Sequence, residues 1–420
     1  MRRRESRLAV GLGHRAALGA ALALALGVAA AAHGGDWPRY RGPNGDGITG
    51  ETGLLKTFPE SGPRVLWRAK LGTGYSGMAV AGGKVFTLFG NGKDEVAVAF
   101  DAATGAPVWK TRIDRERFDD MGSGPRSTPT VDGNLVFVHG AGGKLAALDA
   151  PTGRVHWLVD LVSTYGSRVP QWGSASSPVV DGNLLLVTAG GPRGKALLGL
   201  DKRTGKLVWS AESDEPGYST PVIAEIGGTR QAIFFAGTSL ISVSPQRGQK
   251  YWSVPWQTSY DVNAAMPVFI APDKVFISSS YDTGAQLLRV ASQGGRPSAE
   301  VLWRNRLMKN HFNSSVYYGG HLYGFDDSTL KCLEPLAPAE RWKQRGFGKG
   351  SLLVADGHLW VLSDRGELAL VEATPSEYRE KARAQVIEVK TWTMPTIADK
   401  RLFIRSESEL VAFDVAGGRS

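Results

Sequence analysis

Ala147-Leu148-Asp149-Ala150-Pro151-Thr152-Gly153-Arg154-Val155-His156-Trp157 is the cleanest copy of a unit that recurs along the chain. An apolar strand ends on Asp, a D-x-x-T-G turn follows, and a Trp stands eight residues after the Asp. The Asp side chain can accept hydrogen bonds from backbone N–H groups two and three residues on, and Gly takes the left-handed conformation that closes the turn. The Trp then falls on an outward strand, where a large flat ring can fill the space between neighbouring sheets. Asp101 to Gly105 precedes Trp109 in the same way, and Asp201 to Gly205 precedes Trp209; a degenerate copy runs from Ser244 through Gly248 to Trp252. Trp67, Trp303 and Trp342 stand in matching contexts, VLWR, VLWR and ERWK. Successive Trp are 42, 48, 52, 43, 51 and 39 residues apart, a range that brackets the ~40–45 residues of a four-stranded blade.

Each unit opens with a short small-residue strand and a second turn, as in Ser176-Ser177-Pro178-Val179-Val180-Asp181-Gly182-Asn183, where D-G-N supplies a tight hairpin between apolar runs. Such segments begin near Tyr75, Arg126, Ser174, Tyr218, Asn263, Asn313, Gly350 and Trp392. The eighth unit runs through Leu402-Phe403-Ile404 and Leu410-Val411-Ala412-Phe413, then stops before any Trp strand. Val65-Leu66-Trp67 is the matching half-unit at the other end. A β-solenoid or two packed sandwiches would have no use for complementary leftovers, whereas a ring closes with them and loses its exposed edges. The reading is therefore all-β: an eight-bladed β-propeller of four-stranded antiparallel blades over residues 63–416, its last blade completed by the N-terminal strand.

Composition agrees with this. A chain of 420 residues would ordinarily divide into two or three domains, but radial repetition lets one closed unit grow past that size. Arg2, Arg3, Arg4, Arg7 and Arg15 precede an Ala/Leu-rich run from Ala16 to Ala32, with Ala30 and Ala32 offering an A-x-A cleavage site before His33. These are the parts of a secretory signal at residues 1–32, and the run is too short and weakly apolar for a lasting membrane span. Its removal takes five Arg and Glu5, lowering the formal charge of +9 by four. No Lys/Arg block remains, which argues against a nucleic-acid partner. The single cysteine, Cys332, excludes an internal disulfide and reads as a buried small hydrophobe. No Cys stands at the cleavage site, so a lipid anchor is not expected; the expected location is the periplasm or the exterior. Residues 33–62 form an N-terminal extension. Its Arg41-Gly42-Pro43-Asn44-Gly45-Asp46-Gly47 has too few carboxylates for a calcium loop and reads as a Gly/Pro-ordered cap that packs Trp37 and Tyr40 on the ring.

The A-L-D-x-x-T-G-x-x-x-W unit resembles the pyrroloquinoline-quinone (PQQ) repeat shared by quinoprotein alcohol dehydrogenases and by the BamB subunit of outer-membrane β-barrel assembly. The likeness covers residues 60 to 415, and the Trp37–Gly47 stretch is similar to the start of a branch of secreted bacterial PQQ-like repeat proteins. The quinoprotein likeness would imply PQQ held flat against a Trp, calcium held by carboxylate and amide oxygens, and an Asp as base. By residue type Asp261, Asn263, Arg126, Lys349 and Trp392 match parts of that site. The disulfide found over the cofactor in many of those enzymes is impossible with Cys332 alone, and the loops offer no Glu or second Asp to complete a calcium shell. No metal site is expected.

Loops leading into innermost strands converge on one end of a propeller's channel, and loops carry function more often than the strands they join. These loops hold Tyr75, Arg126, Gln171 with Trp172, Tyr218, Tyr260 with Asp261 and Asn263, Asn310 with His311 and Asn313, Lys349, and Trp392. Aromatics mixed with single polar groups are the make-up of a ligand pocket. Asp261 and His311 are the sole candidates for an acid–base pair; His139, His156, His321 and His358 fall in strand-like runs as structural residues. There is no G-x-S-x-G elbow or H-E-x-x-H motif, and Gly346–Ser351 does not meet the phosphate-loop spacing. The expected function is an exported, non-enzymatic propeller that binds a protein or cell-envelope component on its funnel face. The alternative is a PQQ-dependent oxidoreductase or a degenerate PQQ-binding relative.

Overall fold

The computed structural model describes residues 35–294 and 296–418; the leader expected at 1–32 lies outside them. The chain forms eight antiparallel blades around an axis: blade 1 (79–115), blade 2 (130–160), blade 3 (179–211), blade 4 (222–255), blade 5 (268–305), blade 6 (316–344), blade 7 (351–385) and a composite blade 8 (396–414 with 65–70). Most innermost strands are only three residues long, such as Ala79–Ala81, Thr130–Asp132 and Val179–Asp181. The wedge is narrowest at the axis, which is why small residues open each unit.

The hydrophobic core lies between blades, in clusters that each join consecutive blades. In blade 2, Leu145 and Ala147 enter the cluster shared with blade 3, while Ala146 and Leu148 enter the one shared with blade 1. Strand side chains alternate between faces, and here both faces are buried, so the strands read as continuous apolar runs.

The repeat unit does what its residues suggest, and more. The Asp101, Asp149 and Asp201 carboxylates each accept from the backbone N–H and hydroxyl of the Thr three residues on. These bonds hold all three carboxyls below their ordinary pKa. The turn also receives the Trp of the preceding blade. Trp67, Trp109, Trp157 and Trp209 donate their indole N–H to Ala102 O, Ala150 O, Lys202 O and Pro245 O at 2.8–3.1 Å. Their rings lie flat on Gly105, Gly153, Gly205 and Gly248, where an added Cβ would collide with the indole. Trp303 and Trp342 reach Pro335 O and Thr374 O of the next blade likewise. Trp252 differs: it donates to Gln231 Oε1 of its own blade, at 2.9 Å. Blade 5, its neighbour, turns between its third and fourth strands without a D-x-x-T-G motif.

The ring closes as expected. Val65–Lys70 pairs antiparallel with Glu409–Asp414, Trp67 facing Ala412, and its ring centroid is 5.9 Å from that of Phe403. Across the same seam Arg405, fully buried, donates to Ser76 O, Leu88 O, Gly74 O and Thr87 Oγ1 of blade 1 and its approach loop. Cys332 is buried, and burial pushes its thiol up to about 12.

The extension is more than a cap, and it changes one blade. Ile48–Thr49 adds a fifth, parallel strand beside Ser351–Ala355, so blade 7 is not purely antiparallel. Trp37 exchanges backbone hydrogen bonds with Val80 of blade 1, and Pro38 O accepts from Val131 of blade 2. Buried Arg41 donates to Ser314 O and Ser315 O on the approach to blade 6, and Glu51 accepts from Asp399 N and Lys400 N of blade 8. The segment thus crosses the axis from blades 1 and 2 to blades 6, 7 and 8. It closes one end of the channel.

Two Gly→Ala substitutions separate backbone conformation from the indole contact. Gly153 has φ of 72°, and an added Cβ would sit 2.5 Å from the Trp109 ring; Gly182 has φ of 59° and open space around it. Gly153→Ala is expected to cost about 2–5 kcal/mol, left-handed strain plus overpacking, and Gly182→Ala only about 1–2 kcal/mol. Chemical denaturation of the two variants measures the difference; equal losses would mean the indole contact imposes no constraint.

Candidate functional site

The channel end opposite the extension opens into a cavity of about 190 Å³. Seven of the residues expected there line it: Tyr75, Arg126, Trp172, Tyr218, His311, Asn313 and Trp392. Tyr40 of the extension also lines it, at the closed end of the channel. The approach loops of blades 1, 2, 3, 4, 6 and 8 therefore converge as the repeat implies.

The rings form a girdle. Tyr75 stands 5.4 Å from Trp392, Trp392 5.1 Å from Phe312, and Phe312 5.2 Å from His311. It continues from His311 to Tyr281 at 5.5 Å, then Tyr260, Trp172 and Tyr218 at 6.0–6.2 Å steps between centroids. Tilted and edge-to-face geometries of this kind are the favourable ones for aromatic pairs. Tyr260 and Tyr281 hold their places in the left-handed region, φ 62° and 54°, a conformation that costs about 1–3 kcal/mol for a residue with a Cβ and persists only where surroundings impose it. Tyr260 is 66% exposed and forms the rim.

The remaining expected residues have other duties. Asn263 is fully buried; its amide N–H groups donate to Ala236 O and Gly237 O, and its Oδ1 accepts from Ser279. Asn310, equally buried, donates to Phe325 O and accepts from Ser315. Both amides tie the loops down and contribute nothing to the cavity surface. Lys349 lies outside the lining, with its backbone N–H on Asp364, but its charge acts on His311. Asp261 and His311 make no ion pair or hydrogen bond: the charges acting on His311 are those of Lys349 and Asp327, and the one acting on Asp261 is that of Asp214. The expected acid–base pair is not assembled.

Sequence reasoning missed much of the rest of the site, four of its residues prominently. Tyr281 and Met121 lie in loops that return to the same face, Phe312 sits between two residues that were singled out, and Lys390 stands two residues before Trp392. Lys390 Nζ lies 3.5 Å from the Trp392 ring centroid and donates to the Tyr75 hydroxyl, which itself donates to Glu407 at 2.5 Å.

Electrostatically the cavity is quiet. Its lining contains no Asp or Glu. Arg126 bonds Asp119 Oδ2 at 2.8 Å and the carbonyls of Gly122 and Gly124, pinning the 119–124 loop. Burial, with help from Lys349, pushes the His311 imidazole down to about 4, so it is neutral at neutral pH. Burial raises the Tyr218 phenol to about 12. Among the described residues no cluster of three or more His, Cys, Asp or Glu could hold a metal. A calcium-bound quinone needs carboxylate oxygens at its rim, so this donor set does not fit one, and no redox step follows from it. What the arrangement can do is take up an uncharged group between ring faces.

The His311 shift fixes a sign. A pKa depressed from 6.5 to about 4 gives stability that is fully present above pH 6.5 and is lost as pH falls toward 4. Glu95, buried and raised to about 7, acts oppositely, so wild type alone would mix the two. The difference in stability between wild type and His311→Gln should therefore shrink on acidification from pH 6.5 to 4. An imidazole that titrates by NMR near 6.5 would contradict the burial.

The sequence family described as outer membrane protein assembly factor BamB matches residues 52–160 and 93–344, well over half of the chain. The BamB of Nitrosomonas eutropha is 33% identical over 163 residues, 39% of this chain and 35% of that protein. The BamB of Burkholderia pseudomallei is 25% identical over 273 residues, 63% of each. The chain thus spans less than two thirds of the length of these curated relatives. Quinohemoprotein alcohol dehydrogenase ADHIIG of Pseudomonas putida HK5 superposes with a TM-score of 0.63 at 12% identity, over 92% of this chain and 81% of the dehydrogenase; that likeness is one of fold. Repeat unit, blade architecture and sequence match agree: the chain belongs to the BamB family of PQQ-like repeat propellers.

Proposed function

We propose that this chain is an exported, non-catalytic scaffold that docks a protein or cell-envelope partner on its cavity-bearing face, in the service of outer-membrane protein assembly. The observation that carries the reading is the aromatic girdle: eight ring side chains from loops distant in sequence surround one opening, Tyr260 and Tyr281 exposed at its rim, and no acid–base pair stands among them. Aromatics clustered around a pocket are what protein-binding surfaces are built from. The relatives are named for outer-membrane protein assembly, and the leader expected at 1–32 would deliver the chain to the periplasm or beyond. No helix among the described residues is long and apolar enough to cross a membrane.

A photo-crosslinking residue placed at Tyr260 is expected to capture a discrete envelope protein in cells, and one placed at Val301, exposed on the outer edge of blade 5, is not. Equal capture at both positions would refute docking on this face. The quinoprotein alternative is checked separately by thermal melting with PQQ and calcium. A ligand at about 100 times its Kd stabilises the folded state by about 2.7 kcal/mol; the expectation is no shift, and a shift of that size would restore the alternative.

A further inference from the structure

The cavity's arginine and two of its hydroxyls are committed within the protein. Arg126 is held by Asp119 and two carbonyls, the Tyr75 hydroxyl by Glu407 and Lys390, and the Tyr218 hydroxyl accepts from the Trp172 N–H. The rest of the lining is mainly ring surface with Met394 and Val262, interrupted by the short side chains of Thr128, Ser177, Thr220, Asn313 and Thr393. An apolar cavity of about 150 Å³ is enough to take up benzene, and this one measures about 190 Å³. Because the extension closes the far end, an occupant enters through the rim and stops at Tyr40.

We infer that the cavity is a socket for one aromatic side chain, of the Phe or Tyr class, carried on a segment of the partner polypeptide; this rests on the reading that this face docks a partner. Three properties select that occupant. The tilted and edge-on rings of the girdle suit a further ring better than an aliphatic chain. A sugar would bring several hydroxyls against a lining that is mostly apolar, and most of them would be left unsatisfied. Arg126, the one Lys or Arg in the lining, is already paired with Asp119, so an anion would gain little there. Rim residues Tyr260 and Tyr281, held in left-handed backbone, keep their rings at the opening for the approaching chain.

Calorimetric titration of the full chain with N-acetyl-phenylalaninamide and N-acetyl-alaninamide tests this. Burial of the phenyl ring predicts at least about tenfold tighter binding of the first. Ala175→Leu and Ala264→Leu fill the void from two different loops, and each should abolish the preference while melting within a few degrees of wild type; the second guards against one variant misfolding. Equal affinity for the two amides, or competition by methyl glucoside, would overturn the socket. If Tyr260 crosslinks persist in that case, the docking face stands without it; if they vanish too, both readings fall.

Discussion

The contact between one blade's indole and the next blade's turn is the constraint on which the molecule depends. A four-stranded sheet buries neither face alone, and a neighbour must fill each wedge. The Trp does this with its ring, while its N–H takes a carbonyl that the tight turn leaves free, a bond of about 1 kcal/mol in its own right. The turn must then be flat where the ring lies. That explains why Gly stands there beyond its left-handed φ, and why the Asp–Thr bonds that shape the turn recur with it. One motif therefore encodes both a blade's own hairpin and its docking onto the preceding blade.

Two junctions lack the standard contact, and each is repaired differently. Between blades 4 and 5 the receiving turn is absent, and Trp252 satisfies its N–H on buried Gln231 within its own blade. Between blades 7 and 8 the Trp itself is absent. Ala382 occupies its register, opposite Leu370 and just beyond the bulge, as Trp157 stands opposite Ala147. There Leu54 and Phe58 of the extension join Ala384 and Val386 in the cluster that spans the seam. The extension is thus the missing wedge filler of a ring with eight junctions and seven blade Trp.

The repeat made the ring legible, because each copy states the same local rule and local rules are what a sequence displays. The closing strand was legible too, as a half-unit wanting its complement. The course of the extension was not. Arg41 finds Ser314 and Ser315 across more than 270 residues, and nothing periodic announces such a contact; a Gly/Pro-rich stretch declares only that it is irregular. In the cavity, loop position identified most of the rings and Asn313 but failed for two of the amides. Asn263 and Asn310 stand in the right loops, but a loop crossing a narrow channel has carbonyls to satisfy, and an amide at its base is consumed by them. Tyr281 escaped notice because hairpins joining second and third strands return to the same face without forming part of an approach loop.

Closing the floor shapes the chemistry above it. A propeller channel open at both ends would hold water along its length and could keep charged side chains hydrated. Here Tyr40 and the crossing segment seal one end, so a charge facing the cavity is favoured when the protein pairs or discharges it. Both outcomes are seen: Arg126 is neutralised by Asp119, and His311 gives up its proton. Arg405, at the seam, is satisfied wholly by carbonyls and a hydroxyl. In this chain the lining carries no Asp or Glu, and rings make up most of its surface.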